Sequence, residues 1–127
     1  MLVAGAPAPI CADILADTVS DDRVALLSLG VVHPLPEEWL VARLGEADTV
    51  LIVEELSPYL EDRVRALCTL HGLSTKVLGK RTGHFPYEHE YTPAVIGPVL
   101  GDLLGVGAPA AAEPEGRPLP VRPPTLC

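Results

Sequence analysis

Short aliphatic runs alternate along this chain with segments whose apolar residues recur at helical spacing. That alternation restricts the fold more than any other property of the sequence. Leu2-Val-Ala4 reads as a short first strand, and Cys11, Ile14, Leu15 and Thr18 follow at helical spacing with Asp13 and Asp17 on the opposite face. Val24-Ala-Leu-Leu-Ser-Leu29, ended by Gly30, has the near-continuous apolar character of a strand buried on both faces. Pro34-Leu-Pro36 breaks the chain. Glu37 and Glu38 then suit the positive end of a helix that carries Leu40, Leu44 and Ala47 inward and stops near Gly45. Thr49-Val-Leu-Ile-Val53 is the clearest strand. Pro58 opens a helix in which Leu60, Val64, Leu67 and Cys68 share a face and Glu61 pairs with Arg65. Gly72 ends it, Lys76-Val-Leu78 makes a fourth strand, and Thr92-Pro93 starts a last helix with Ile96, Val99, Leu100, Leu103 and Leu104 in its apolar stripe.

Four strand–helix repeats predict an α/β fold of three layers, a mostly parallel sheet with helices on both faces. Ligand or partner contacts in such a fold gather at the carboxyl ends of the strands. Here those ends are Gly5, Gly30 to Pro36, Glu54-Glu55 and Gly79 to Gly83.

The folded unit is expected to be residues 1–104. Six of the 14 prolines fall after Gly105, so 105–127 reads as a Pro/Ala-rich linker, extended or without structure of its own. The chain as a whole then reads as one domain with the start of a connector, a piece of something larger. Its net charge of −8 argues against nucleic acid and anionic membranes, which require clustered Lys and Arg. No apolar stretch approaches membrane-spanning length, and three scattered cysteines give no disulfide framework. A cytoplasmic protein is expected.

Four places carry residues capable of chemistry. Glu54-Glu55 lies where a strand leaves the sheet, and paired carboxylates there are either an acid/base pair, a cap for the next helix or a contact across a domain or subunit boundary. Adjacent residues on extended chain point to opposite sides, so only one of the two can face a shared site. The cap or contact is the expectation. Lys80-Arg81, between Gly79 and Gly83, reads as a basic turn that could bind an anion, but the expectation is a pair that is solvated or neutralises an acidic neighbour. His84, His89, Glu88 and Glu90 share a loop, but Pro86 argues against the helix that a four-residue ligand spacing needs, so surface histidines are expected. Cys11 and Cys68 sit on apolar faces as core thiols. Cys127 is the last residue of the chain. No residue is assigned here to catalysis, cofactor or metal, and the chain alone is expected to be inactive.

The order of these pieces resembles the middle region of the large subunit of indolepyruvate ferredoxin oxidoreductases. Leu29-Gly-Val-Val-His-Pro-Leu-Pro-Glu-Glu38 is similar to the family's glycine followed by Pro-Leu-Pro. Val50-Leu-Ile-Val-Glu-Glu-Leu-Ser-Pro-Tyr-Leu-Glu61 is similar to its strand, Glu-Glu-Leu-x-Pro and further glutamate. Leu78-Gly-Lys-Arg-Thr-Gly-His-Phe-Pro86 with Glu90-Tyr-Thr-Pro93 resembles its Gly-Lys-x-Thr-Gly turn and Glu-Leu-Thr-Pro helix start, with Tyr91 in place of leucine. Arg122-Pro-Pro-Thr-Leu-Cys127 resembles the linker into a Cys-Pro-Gly-Cys segment, of which Cys127 would be the first cysteine.

The resemblance implies a transketolase C-terminal-like domain with a structural and subunit-contact role, in which Glu54, Glu55, Lys80 and Arg81 are the candidate contacts. It implies thiamine diphosphate, Mg and [4Fe-4S] clusters for the parent enzyme, held by neighbouring domains and not by this chain. Thiamine would stabilise the carbanion and the clusters would carry electrons in oxidative decarboxylation of an aryl pyruvate to an acyl-CoA, with ferredoxin as acceptor. The implied partners are the thiamine-binding domains and the enzyme's small subunit. The alternative is a free-standing module that docks onto separate thiamine-binding subunits.

Overall fold

In a computed structural model, which describes residues 1–18 and 24–106, the strands β1 (Leu2–Ala4), β2 (Leu27–Leu29), β3 (Thr49–Val53) and β4 (Lys76–Leu78) form one sheet in the order β2-β1-β3-β4. Every pairing is parallel, with Leu2 opposite Leu27 and Ile52, and Val50 opposite Val77. Helices α1 (Pro7–Thr18), α2 (Glu37–Gly45), α3 (Tyr59–Leu70) and α4 (Pro93–Leu104) alternate with the strands, and a 3₁₀ turn, Lys80–Thr82, follows β4.

Alternation along each strand divides the core into two halves. Leu2, Val50, Ile52 and Val77 face α2 and α3, where they meet Leu40, Leu44, Leu60, Val64 and Leu67. Val3, Leu51, Val53 and Leu78 face the other way, onto Cys11 and Ile14 of α1 and Ile96 and Leu100 of α4. Each such aliphatic side chain contributes about 2 kcal/mol when fully buried, against about 1 kcal/mol net for a typical hydrogen bond, so apolar burial on both faces holds the layers together. The result is the three-layer α/β architecture expected, with the sheet wholly parallel, and it fits a transketolase C-terminal-like domain.

Three expectations need correction. The apolar run from Val24 becomes strand only at Leu27–Leu29, and it lies at an edge of the sheet, with Ser28 exposed and Leu27 half-buried, so it is not buried on both faces. Having one neighbour, β1, it covers less of its surface than a central strand does. Ala47 lies beyond α2, which ends at Gly45, and Leu103 on α4 is exposed. Residues 107–127, including Cys127, fall outside the described part of the chain. Among the described residues no helix is long and apolar enough to cross a membrane.

Candidate functional site

Strand order reverses at β1: the chain steps to β2 on one side, then crosses to β3 and β4 on the other. In open parallel sheets the crevice at such a reversal, outside the carboxyl ends of the strands, is where ligands bind. Glu54 stands at that position, directly after Val53, and it is only 8% exposed. Its carboxylate turns back onto α3 and accepts hydrogen bonds from the Leu60 and Glu61 amides at 2.7 and 2.9 Å. These N–H groups belong to the first turn of α3 and have no intrahelical acceptor. No side chain of Pro58, the residue before the helix, caps it, so Glu54 takes the place of an N-cap from four residues upstream of that position. Burial pushes its pKa up, opposed by the two amides and by Lys80.

Glu55 points elsewhere, as alternation on extended chain requires, and accepts the Tyr91 amide at 2.8 Å. The two carboxylates therefore do not share a site. Each ties the β3–α3 loop to a different neighbour. Between them and Ser57 the chain places Leu56 at φ +58, a left-handed conformation unusual for leucine.

Lys80 is 4% exposed, although a basic turn between two glycines reads as solvated. Its ammonium donates to the Pro86 carbonyl at 2.8 Å and to the Tyr91 hydroxyl, and it lies 4.4 Å from the centre of the Tyr91 ring. The Tyr91 hydroxyl in turn donates to the same Pro86 carbonyl at 2.7 Å. Burial lowers the Lys80 pKa, with the carboxylates of Glu54, Glu55 and Glu61 opposing it, and burial raises that of Tyr91. Lys80 thus fastens the 83–91 loop from beneath. Arg81 is exposed and forms a two-pronged pair with Asp62 at 3.0 and 2.8 Å. That contact holds the Asp62 carboxyl below its usual range.

Glu61 joins these pieces. It is 0% exposed, accepts Arg65 at 2.7 Å on one oxygen and the Arg81 amide at 3.1 Å on the other, and Arg65 continues to the Val77 carbonyl of β4 at 2.8 Å. Pairing with Arg65 follows from the i,i+4 spacing, but the central position of Glu61 does not. One signal for it is present: with Leu60, Val64, Leu67 and Cys68, Glu61 falls on the buried stripe of α3. Gly79 makes room for it, since a Cβ there would lie 2.5 Å from the Glu61 carboxylate.

Glu54, Glu55, Lys80 and Arg81 are thus brought to one end of the sheet, and each is engaged by this chain's own groups. His33 and His84 make single contacts, with the Tyr59 hydroxyl and the Thr82 hydroxyl. Among the described residues no three His, Cys, Asp or Glu side chains converge as a metal site. A cavity of about 840 Å³ opens at the opposite ends of the strands, around Met1, Asp48 and Lys76. In its lining Arg43 is paired with Glu46.

Neither a protein-family model nor a solved structure matches the chain. Curated proteins do. The indolepyruvate oxidoreductase subunit IorA of Methanothermobacter marburgensis is 34% identical over 104 residues, which are 82% of this chain. The IorA subunits of Archaeoglobus fulgidus and Pyrococcus abyssi are 32% and 30% identical over 112 and 113 residues, 83% and 84% of this chain. In all three the match spans only 17% of the relative's length. Over most of its length the chain is therefore similar to one domain-sized stretch of the indolepyruvate oxidoreductase subunit IorA.

Proposed function

We propose that this chain is a non-catalytic structural and subunit-contact domain of a 2-oxoacid oxidoreductase of the IorA kind. The parent reaction is the oxidative decarboxylation of aryl pyruvates such as indolepyruvate to acyl-CoA, with ferredoxin taking the electrons. One observation carries the reading: the ionisable groups gathered at the carboxyl edge are spent on holding this chain together. Glu54 caps α3, Glu55 holds Tyr91, and Lys80 holds the 83–91 loop, which leaves Arg81 with its exposed Asp62 partner as the outward-facing charge of the four. An acid/base catalyst or nucleophile needs a free partner facing substrate. In this reading thiamine diphosphate, Mg and the [4Fe-4S] clusters are held by neighbouring domains. Residues 1–104 form the domain, 105–127 lead toward the next, and the assembly works in the cytoplasm with its small subunit.

A free-standing module that docks onto separate thiamine-binding subunits would present the same fold, and the exposed apolar side chains at this edge favour that reading as well. Both readings are tested by assaying the full chain alone for indolepyruvate-dependent viologen reduction and for thiamine diphosphate binding by calorimetry. No turnover and no saturable heat are expected. Turnover or saturable binding by the chain alone would overturn both.

A further inference from the structure

We propose that the rim where β2, β3 and β4 leave the sheet is the face by which this domain docks the remainder of an IorA-type subunit, through an apolar strip led by Leu56. The proposal rests on the contact-domain reading above and adds to it the surface and the chemistry of its partner. Leu56 is 65% exposed and holds φ +58, where glycine or asparagine is the usual occupant. Glu54 and Glu55 pin the chain on its amino-terminal side through Leu60, Glu61 and Tyr91. The fold thus maintains an unfavourable backbone conformation whose visible result is a leucine standing in solvent. Strain of this kind marks surfaces with a task.

Leu56 is not isolated. Val31 follows β2, Tyr59 opens α3 and Tyr87 follows β4, and all three are large apolar residues exposed at the same edge. The His33 ring lies 3.1 Å from the Tyr59 hydroxyl, which joins the β2 and β3 sides of the rim. Arg81 lies between Asp62 and Tyr87, which joins the β4 side.

Charge sets the chemistry of the partner's surface. The rim's two arginines are already engaged, Arg81 with Asp62 and Arg63 over the Tyr59 ring. Glu37 and Glu38 at the start of α2 and Glu88 and Glu90 beside Tyr87 have no cationic partner among the described residues. A complementary surface is therefore apolar at its centre with Lys or Arg around it. A second copy of this chain would set carboxylates against carboxylates in a protein of net charge −8. Since the match covers 17% of the IorA subunits, most of their polypeptide lies outside a domain of this kind, and it is the occupant chosen here.

The test measures binding of the full chain to the recombinant polypeptide that carries the remaining IorA-type domains in the same genome. Variants are Leu56→Glu, Leu56→Gly, and Leu70→Glu as an exposed control at the far end of α3. Wild type and Leu70→Glu should bind alike and more weakly as salt rises, while Leu56→Glu should lose about tenfold or more in affinity. Leu56→Gly should raise the melting temperature of the free chain and still weaken binding, a combination that damage to folding cannot produce. Unchanged binding by both Leu56 variants would overturn the docking face and leave the contact-domain reading standing. No binding by wild type would overturn both. Self-association abolished by Leu56→Glu would replace the proposed partner with a second copy and overturn the proposal.

Discussion

Glu61 shows how much one buried side chain can organise. Its two oxygens serve Arg65 and the Arg81 amide, so they cannot retreat from a methyl group added at Gly79, and the backbone there is already extended. Gly79→Ala is expected to cost about 1–3 kcal/mol in urea unfolding through this clash. Leu56→Gly is expected to act oppositely and stabilise the free chain by about 1 kcal/mol, since it removes a left-handed leucine. Glu54 gives a pH signature. Its pKa is raised in the fold, so its contribution to stability is complete below the ordinary glutamate value and declines as pH rises through the folded one. The stability of wild type relative to Glu54→Gln should therefore fall as pH rises above the ordinary glutamate value of about 4.3; a rise would show that the amides outweigh burial. At this scale the sequence was legible where spacing is local: Glu61 with Arg65, and Glu54 and Glu55 on opposite sides. It was not legible where the partner is distant, as for Lys80 and Tyr91, because two glycines beside two cations look like a solvated turn until Pro86 and Tyr91 close over them.

Elements with strong periodicity form as their sequences indicate. β3 is bounded as its apolar run is, and α3 buries Leu60, Val64, Leu67 and Cys68 on one stripe. β2 departs because an apolar run of six residues does not reveal how many neighbours a strand will have, and at an edge only three of them pair. α4 carries a local conflict: Pro98 lies inside it, where it has no N–H to give the carbonyl one turn back. The helix persists because Ile96 and Leu100 are buried against α1 and the sheet. Pro98 is exposed, so Pro98→Ala should restore the bond without disturbing the core and stabilise the chain by about 1–3 kcal/mol, read from the urea midpoint. An unchanged midpoint would mean that α4 has already absorbed the proline without loss.

For the whole molecule, alternation of runs is enough to specify three layers, but strand order is not written in any single run. The order β2-β1-β3-β4 places Glu54 at the reversal point of the sheet, the usual ligand crevice of such folds, and the carboxylate there is turned inward to cap a helix. A position that commonly serves ligands is committed here to architecture, while apolar side chains stand on the rim around it. The most direct measurement is reconstitution: indolepyruvate-dependent viologen reduction by the polypeptides carrying the remaining IorA-type domains and the small subunit, with and without this full chain. The account predicts activity only when the chain is added, and activity kept when the exposed Leu70, at the far end of α3 from the rim, is replaced by glutamate. Equal activity without the chain would contradict it.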